Sequence, residues 1–326
     1  MRVGFGHICA VVLLSVLLSA CGGKGGSSAR KPETSDLRKF PSPPSVPSMV
    51  TDPHEKGAYV AGRFWDEFLS GSFRCDSLVV NGVPSEEVES AVGRYVTLLE
   101  TVCDRSDARK AVEAFFLKVS DFQTSNQKSN VFPFFEEMMY KYLYDPNSPV
   151  RDEDLYLHYV KGLSTSALVP DDKKPAYARD VEMCSLNQIG APAADIQFTG
   201  PDGRRRSLYA VKAENTLLFF SNPGCPACED VIRRLTGDGK IDGLIRSGKL
   251  AVVNLYIDQD IDKWRASVND YPGTWINGYD QDYKIRQDLT YNVRAIPSLY
   301  VLDRDKRVIM KDVPPEKALP FLENIQ

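Results

Sequence analysis

The sequence predicts an α/β sheet domain over residues 187–326, preceded by a mostly α-helical domain over residues 52–186. Three observations carry this. Between Asp52 and Leu186 apolar residues recur at three- and four-residue steps, the spacing of helix faces. After Asn187 the pattern changes to short apolar runs separated by turn signals, the spacing of strands. One such run leads directly into Cys225-Pro226-Ala227-Cys228, at what reads as a strand-to-helix junction. A chain of 326 residues suits about two domains, and its 43% hydrophobic and 10% aromatic content is enough to bury two cores.

The N-terminus reads as an export segment. Arg2 supplies a positive start, and Ile8 to Leu18 form an apolar stretch too short to span a bilayer comfortably. Leu18-Ser19-Ala20-Cys21 follows. Small residues before a cysteine resemble a bacterial lipoprotein signal, which implies removal of residues 1–20 and acylation of Cys21. Several acyl chains, at roughly 0.8 kcal/mol per buried methylene, make a durable anchor. Residues 21–51, rich in Gly, Ser and Pro, then read as a flexible tether, holding the folded part on the order of 30 Å from a membrane if coil-like. The expected location is therefore the cell envelope, lipid-anchored and facing the periplasm. Gly22 carries no acidic retention signal, which favours the outer membrane without settling it.

A net charge of −4 leaves no electrostatic footprint for nucleic acid. Arg204-Arg205-Arg206 reads as the solvated edge of a hairpin turn rather than a phosphate site. His54 and His158 have no ligand-spaced partner, so no metal and no cofactor are expected. Removal of Cys9 with the signal and acylation of Cys21 leave Cys75, Cys103, Cys184, Cys225 and Cys228. An odd number leaves at least one unpaired inside the chain. Cys103 lies on an apolar stripe, where a buried thiol is the default. A Cys75–Cys103 disulfide stays open, and Cys184 is expected to pack rather than react.

Taken in order, the helical stripes are Val92, Tyr95, Val96, Leu99, Val102 and Cys103; then Ala111, Phe115, Leu117, Val119 and Phe122; then Phe134, Phe135, Met138, Met139, Tyr142 and Leu143, with Pro133 in the first turn. Leu155, Tyr159, Val160 and Leu163 give a fourth. The dense aromatics Phe64, Trp65, Phe68 and Phe73 are read as helical core. In the second half, Ile196 and Phe198 with Ser207 to Tyr209 flank the turn Gly200-Pro201-Asp202-Gly203. Leu217–Phe220 and Leu250–Ile257 read as buried strands, and Leu299–Leu302 with Val308–Met310 as a hairpin before a closing helix over Glu316–Ile325. The expected order is β-β-β-α-β-α-β-β-α.

In Cys225-Pro226-Ala227-Cys228 the first cysteine falls at a helix N-terminus, where unpaired N–H groups and the macrodipole favour an anion. The thiolate is the nucleophilic form. Cys228, one turn on, can attack a mixed disulfide, and Pro226 suits the first helical turn. A zinc site is disfavoured because no second C-x-x-C or histidine pair accompanies the motif.

With Arg294-Ala295-Ile296-Pro297-Ser298 leading into a strand, residues Asn187–Gln326 resemble the thioredoxin superfamily, specifically its membrane-anchored bacterial envelope members. The resemblance implies a thioredoxin-like fold, Cys225 as nucleophile, Cys228 as resolving thiol and Pro297 as a cis-proline. Ile296 would then present its backbone to an extended substrate, with Gly224, Pro226 and Ala227 flanking the active site. It implies disulfide-containing envelope proteins and a redox donor protein as partners. The layout as a whole resembles envelope lipoproteins in which a helical domain of unassigned role precedes such a module; Tyr59–Phe68, Phe132–Tyr144 and Asn187–Gly190 carry that likeness. The chain departs from thioredoxin where the latter keeps a buried aspartate, since Phe219 stands there, and Glu229 and Asp230 are ordinary helix-start acids. The expected activity is thiol–disulfide exchange that reduces or isomerises envelope disulfides. The alternatives are a non-catalytic binding module and, on residues, less well a thiol peroxidase: Asn222 stands where that chemistry needs a threonine before Cys225.

Overall fold

Two largely apolar stretches become the centre of the molecule's sheet. The computed structural model describes residues 37–325; the expected signal segment and Cys21 lie outside them. In the second half, β5 (Asn215–Phe220) and β6 (Leu250–Tyr256) pair in parallel, and almost every residue of both is buried. A parallel pair covered on both faces draws on such near-continuous hydrophobic runs.

The sheet has seven strands among the described residues. Besides β5 and β6 these are β3 (Gln197–Thr199), β4 (Arg205–Ser207), β7 (Ile276–Tyr279), β8 (Ser298–Asp303) and β9 (Val308–Val313), in the spatial order β4-β3-β7-β6-β5-β8-β9. β8 runs antiparallel to β5, and β9 antiparallel to β8. Helix α7 (Pro226–Gly237) follows β5 and α8 (Gly239–Arg246) precedes β6, while α11 (Pro315–Glu323) closes the chain. Leu217, Phe219, Val231, Leu235, Leu299, Val301, Leu319 and Leu322 form the core on one face. Phe198, Leu218, Phe220, Leu255, Tyr291 and Tyr300 form the other.

Strand β7 is absent from the expected order, which has one helix between β6 and β8 where the structure has two short ones, α9 (Ile261–Ser267) and α10 (Lys284–Gln287). Ile276-Asn277-Gly278-Tyr279 has no apolar run; it is recruited by parallel pairing with Val253–Tyr256. Gly278 is needed there, because an added Cβ would come within 2.5 Å of the Phe198 ring and 3.1 Å of the Thr199 carbonyl oxygen. Gly278→Ala should lose about 1–3 kcal/mol of stability by overpacking, read as a lower urea midpoint; an unchanged midpoint would refute the close approach.

The first half is helical: α1 (Pro53–Arg63), α2 (Ser85–Thr101), α3 (Arg105–Ser125), α4 (Val131–Leu143), α5 (Glu153–Thr165) and α6 (Lys174–Cys184), with a small hairpin β1–β2 (Val79–Val80, Val83–Pro84). Its core is aromatic. Trp65 packs on Phe135 and Phe115 with ring centroids 4.8 and 5.1 Å apart, and Phe68, Tyr95 and Tyr159 complete the group. Two expectations need correction. Leu117 is 61% exposed, because α3 buries the face of Phe115, Phe116 and Val119 instead. Phe73 lies outside the core, half exposed beneath the Arg38 guanidinium.

Within the expected tether of residues 21–51, Arg38 and Phe40 pack on the helical half. The Arg38 N–H donates to the Gly82 carbonyl at 2.8 Å, the Phe40 N–H to Glu87 at 3.0 Å, and the Phe40 ring stacks on Phe68. Both halves belong to one compact unit that begins at Leu37. No helix among the described residues is long and apolar enough to cross a membrane.

Candidate active site

Helix α7 begins where β5 runs out. After Phe220 the chain turns through Ser221-Asn222-Pro223, and Gly224 adopts φ +71, a left-handed conformation that glycine takes without steric cost. This turn delivers Cys225 to the N-cap of α7, with Pro226 at the first helical position. The Cys225 sulfur takes the part that a serine or aspartate oxygen plays in most caps: it accepts a hydrogen bond from the Cys228 N–H at 3.2 Å. That bond satisfies one of the N–H groups that the first turn of a helix leaves unpaired.

The two thiols sit in different surroundings. Cys225 is partly exposed, with Gly224, Pro226 and Ala227 exposed around it. Cys228 is 1% exposed, in the same core as Phe219, Val231 and Leu235. Burial first, and then the hydrogen bond with Cys225, push the Cys228 thiol well above the ordinary thiol range. Phe219 is fully buried in that core, six residues before Cys225. Glu229 is exposed, and Asp230 pairs with Arg233 at 2.7 Å.

Facing Cys225 is the segment Arg294–Ser298. Its Ile296–Pro297 peptide bond is cis, and the Ile296 carbonyl oxygen lies 3.9 Å from the Cys225 sulfur. The structure thus brings Cys225, Cys228, Ile296 and Pro297 together, residues far apart in sequence. Two features of this region were not read from the sequence. A cavity of about 310 Å³ opens beside Cys228, lined by Asn222, Glu229, Arg233, Asp270 and Tyr271. The Tyr271 phenol is raised chiefly by burial. The Ile296–Pro297 segment is also braced by a buried carboxylate: Asp312 accepts from the Ser298 hydroxyl at 2.7 Å and from the Arg294 guanidinium at 2.8 Å.

Among the described residues, Cys75, Cys103 and Cys184 are free thiols. Cys75 accepts from the Asn81 N–H at 3.4 Å and approaches the Ser129 hydroxyl, while Cys103 lies in the turn after α2, beyond the stripe assigned to it. The Cys75–Cys103 bridge is not formed. Burial pushes the Cys103 thiol up to about 11, and Cys184 is raised further by deeper burial. Among the described residues no group of three His, Cys, Asp or Glu could hold a metal ion.

Comparison with known proteins bears on both halves. A family profile described as "Domain of unknown function (DUF5106)" matches residues 20–187. A crystal structure of a thioredoxin-like protein from Bacteroides caccae is similar over 89% of this chain and 100% of its own, at 29% identity and a TM-score of 0.75. The C-terminal domain of an uncharacterized protein from Bacteroides fragilis is 39% identical over 42% of this chain and 97% of its own, at a TM-score of 0.40. A domain of a possible thiol-disulfide isomerase from Cytophaga hutchinsonii is 26% identical over 42% of this chain and 92% of its own, at 0.36. No curated protein matches the sequence. The C-terminal sheet domain has a thioredoxin-like fold, with a helical region before it.

Proposed function

The chain belongs to the DUF5106 family through residues 20–187, and because a thioredoxin-like domain follows that region, we propose that it is a thiol–disulfide oxidoreductase acting through Cys225 and Cys228. The observation that carries this is the pairing of a partly exposed sulfur at a helix N-cap with a buried one at the next turn, opposite the Ile296 carbonyl.

The chemistry balances as two exchanges. The Cys225 thiolate attacks one sulfur of a substrate disulfide. A Cys225–substrate bond forms, the substrate S–S bond breaks, and the first substrate sulfur leaves as a thiolate that takes up a proton. Cys228 then loses its proton and attacks the Cys225 sulfur. The second substrate thiolate leaves and is protonated, so the substrate gains two electrons and two protons while Cys225–Cys228 becomes a disulfide. A donor dithiol protein returns the electrons. The substrates in this reading are envelope proteins, reduced or isomerised, and acylated Cys21 holds the enzyme at the periplasmic face of a membrane.

The reduction potential of the pair tests this. A value near that of thioredoxin, about −270 mV, supports a reductant, and one near −120 mV an oxidant. A pair that forms no disulfide in a dithiothreitol titration would leave a binding module in place of an enzyme.

A further inference from the structure

The brace behind the Ile296–Pro297 segment continues into the helical half. It starts from an irregularity in β9. Leu299 pairs with Val313 and Val301 with Met310, so β9 carries an extra residue between the two pairs. The bulge falls at Lys311 and Asp312, and Asp312 sits at φ +44. That is left-handed backbone, which aspartate tolerates better than most residues. Bulges near functional sites re-aim side chains, and here both residues are turned into contacts that span the two halves.

Asp312 joins three parts of the molecule. Its carboxylate accepts from Ser298 and Arg294, as described above, and its backbone carbonyl accepts from the Arg151 Nε at 2.9 Å. Arg151 belongs to the segment leading into α5 and is anchored there by a 3.1 Å bond to the Pro146 carbonyl. Lys311 donates to Glu153 at 3.0 Å, to the Cys184 carbonyl at 2.7 Å and to the Leu186 carbonyl. Glu153, at the first turn of α5, also accepts from Asn292 at 3.0 Å. The Arg294 guanidinium lies 3.9 Å from the centre of the Tyr144 ring. Glu153 and Tyr144 therefore hold the segment Asn292–Ser298 at Asn292 and Arg294, Arg151 reaches its far end at Ser298 only through Asp312, and Ile296 lies between. Arg151, Glu153, Asn292, Lys311 and Asp312 are each 7% exposed or less.

Such a network is a poor way to glue two surfaces together. Buried ion pairs lose most of their attraction to desolvation, and apolar residues of similar volume often serve stability better. Here some polar atoms even lack partners: Glu153 Oε2, Arg294 Nε and Arg294 Nη1. What directional hydrogen bonds supply, and apolar packing does not, is one position for the loop.

We propose that the helical half is a positioning element for the exchange site: Arg151 and Glu153, acting through Asp312, Arg294 and Asn292, fix the segment Asn292–Ser298 so that the Ile296 backbone meets an extended polypeptide substrate beside Cys225. This rests on the reading of Cys225–Cys228 as an exchange pair, and it gives the DUF5106 region a role in catalysis. Arg151 and Glu153 are positioning residues; neither touches the reacting sulfurs.

The test compares two reactions of the full chain. One is exchange with dithiothreitol, which has no backbone to align. The other is exchange with a linear peptide carrying one cysteine–glutathione mixed disulfide. Arg151→Met should lower kcat/KM for the peptide by roughly tenfold or more, the scale of a misplaced substrate, chiefly through KM. Its rate with dithiothreitol and its reduction potential should stay as in the unaltered protein, and Arg151→Lys, which keeps a donor, should recover part of the loss. Should Arg151→Met not fold, Asp312→Asn, which keeps the shape and suits the left-handed backbone, carries the same comparison. Equal losses in both reactions, or no loss in either, would overturn the proposal while leaving the exchange pair intact. An unaltered protein that does not react with dithiothreitol would overturn both readings.

Discussion

Cys228→Ser will capture a disulfide substrate and fail to release it. Cys225 remains at the N-cap of α7 with its sulfur partly exposed, so the first exchange proceeds and leaves the substrate bonded to Cys225. The buried serine cannot complete the second. The adduct should persist for roughly minutes to hours, the timescale of uncatalysed disulfide rearrangement, and appear on a non-reducing gel as a band that dithiothreitol abolishes. Cys225→Ser should form no such band. An adduct on Cys228 in that variant would reverse the two roles. In the unaltered protein, burial holds the Cys228 thiol above its ordinary range, so it is mostly protonated at neutral pH. The fraction of attacking thiolate then grows about tenfold per pH unit, and the release step should quicken to match. A release rate indifferent to pH would mean that deprotonation of Cys228 does not limit it.

Lys311→Met should destabilise the protein by about 3–5 kcal/mol, the usual cost of leaving one member of a buried ion pair alone. The ammonium is buried against Glu153, and two main-chain carbonyls depend on it as well. The loss reads as a lower urea midpoint at unchanged slope. Adding Glu153→Leu should recover only part of it. That change removes the stranded carboxylate but leaves the Asn292 amide and the Cys184 and Leu186 carbonyls without their partners. A single variant within about 1 kcal/mol of the parent would mean that water or a rearranged side chain replaces the ammonium, since surface-like substitutions fall in that range.

The parts legible in the sequence were those whose signal is local. Leu217–Phe220 and Leu250–Ile257 announce central strands because both faces are covered, and the Cys-Pro-Ala-Cys segment announces a helix start because proline suits only the first turn. What long-range partners decide was not legible. β7 is a strand by virtue of its neighbour. Arg151-Asp152-Glu153-Asp154 carries the acids common in a first helical turn, yet all four residues are buried. Arg105 meets Asp152, Arg109 meets Asp154, and Lys311 meets Glu153, each from a distant stretch of chain. Asp312 gives no local sign of bracing Ser298 and Arg294, because a one-residue bulge decides where it points.

That bulge also sets the mutational tolerance of the site. At Asp312 a backbone that suits glycine and asparagine coincides with a side chain that must accept two hydrogen bonds at short reach. Glycine satisfies the backbone and neither bond. Glutamate keeps the charge but has the wrong length, and it favours the left-handed region less than aspartate or asparagine. Asparagine alone satisfies the backbone and part of the bonding. A library that varies this position freely should therefore return aspartate, with asparagine as the one substitute that folds well, although nothing in the neighbouring sequence marks it as special.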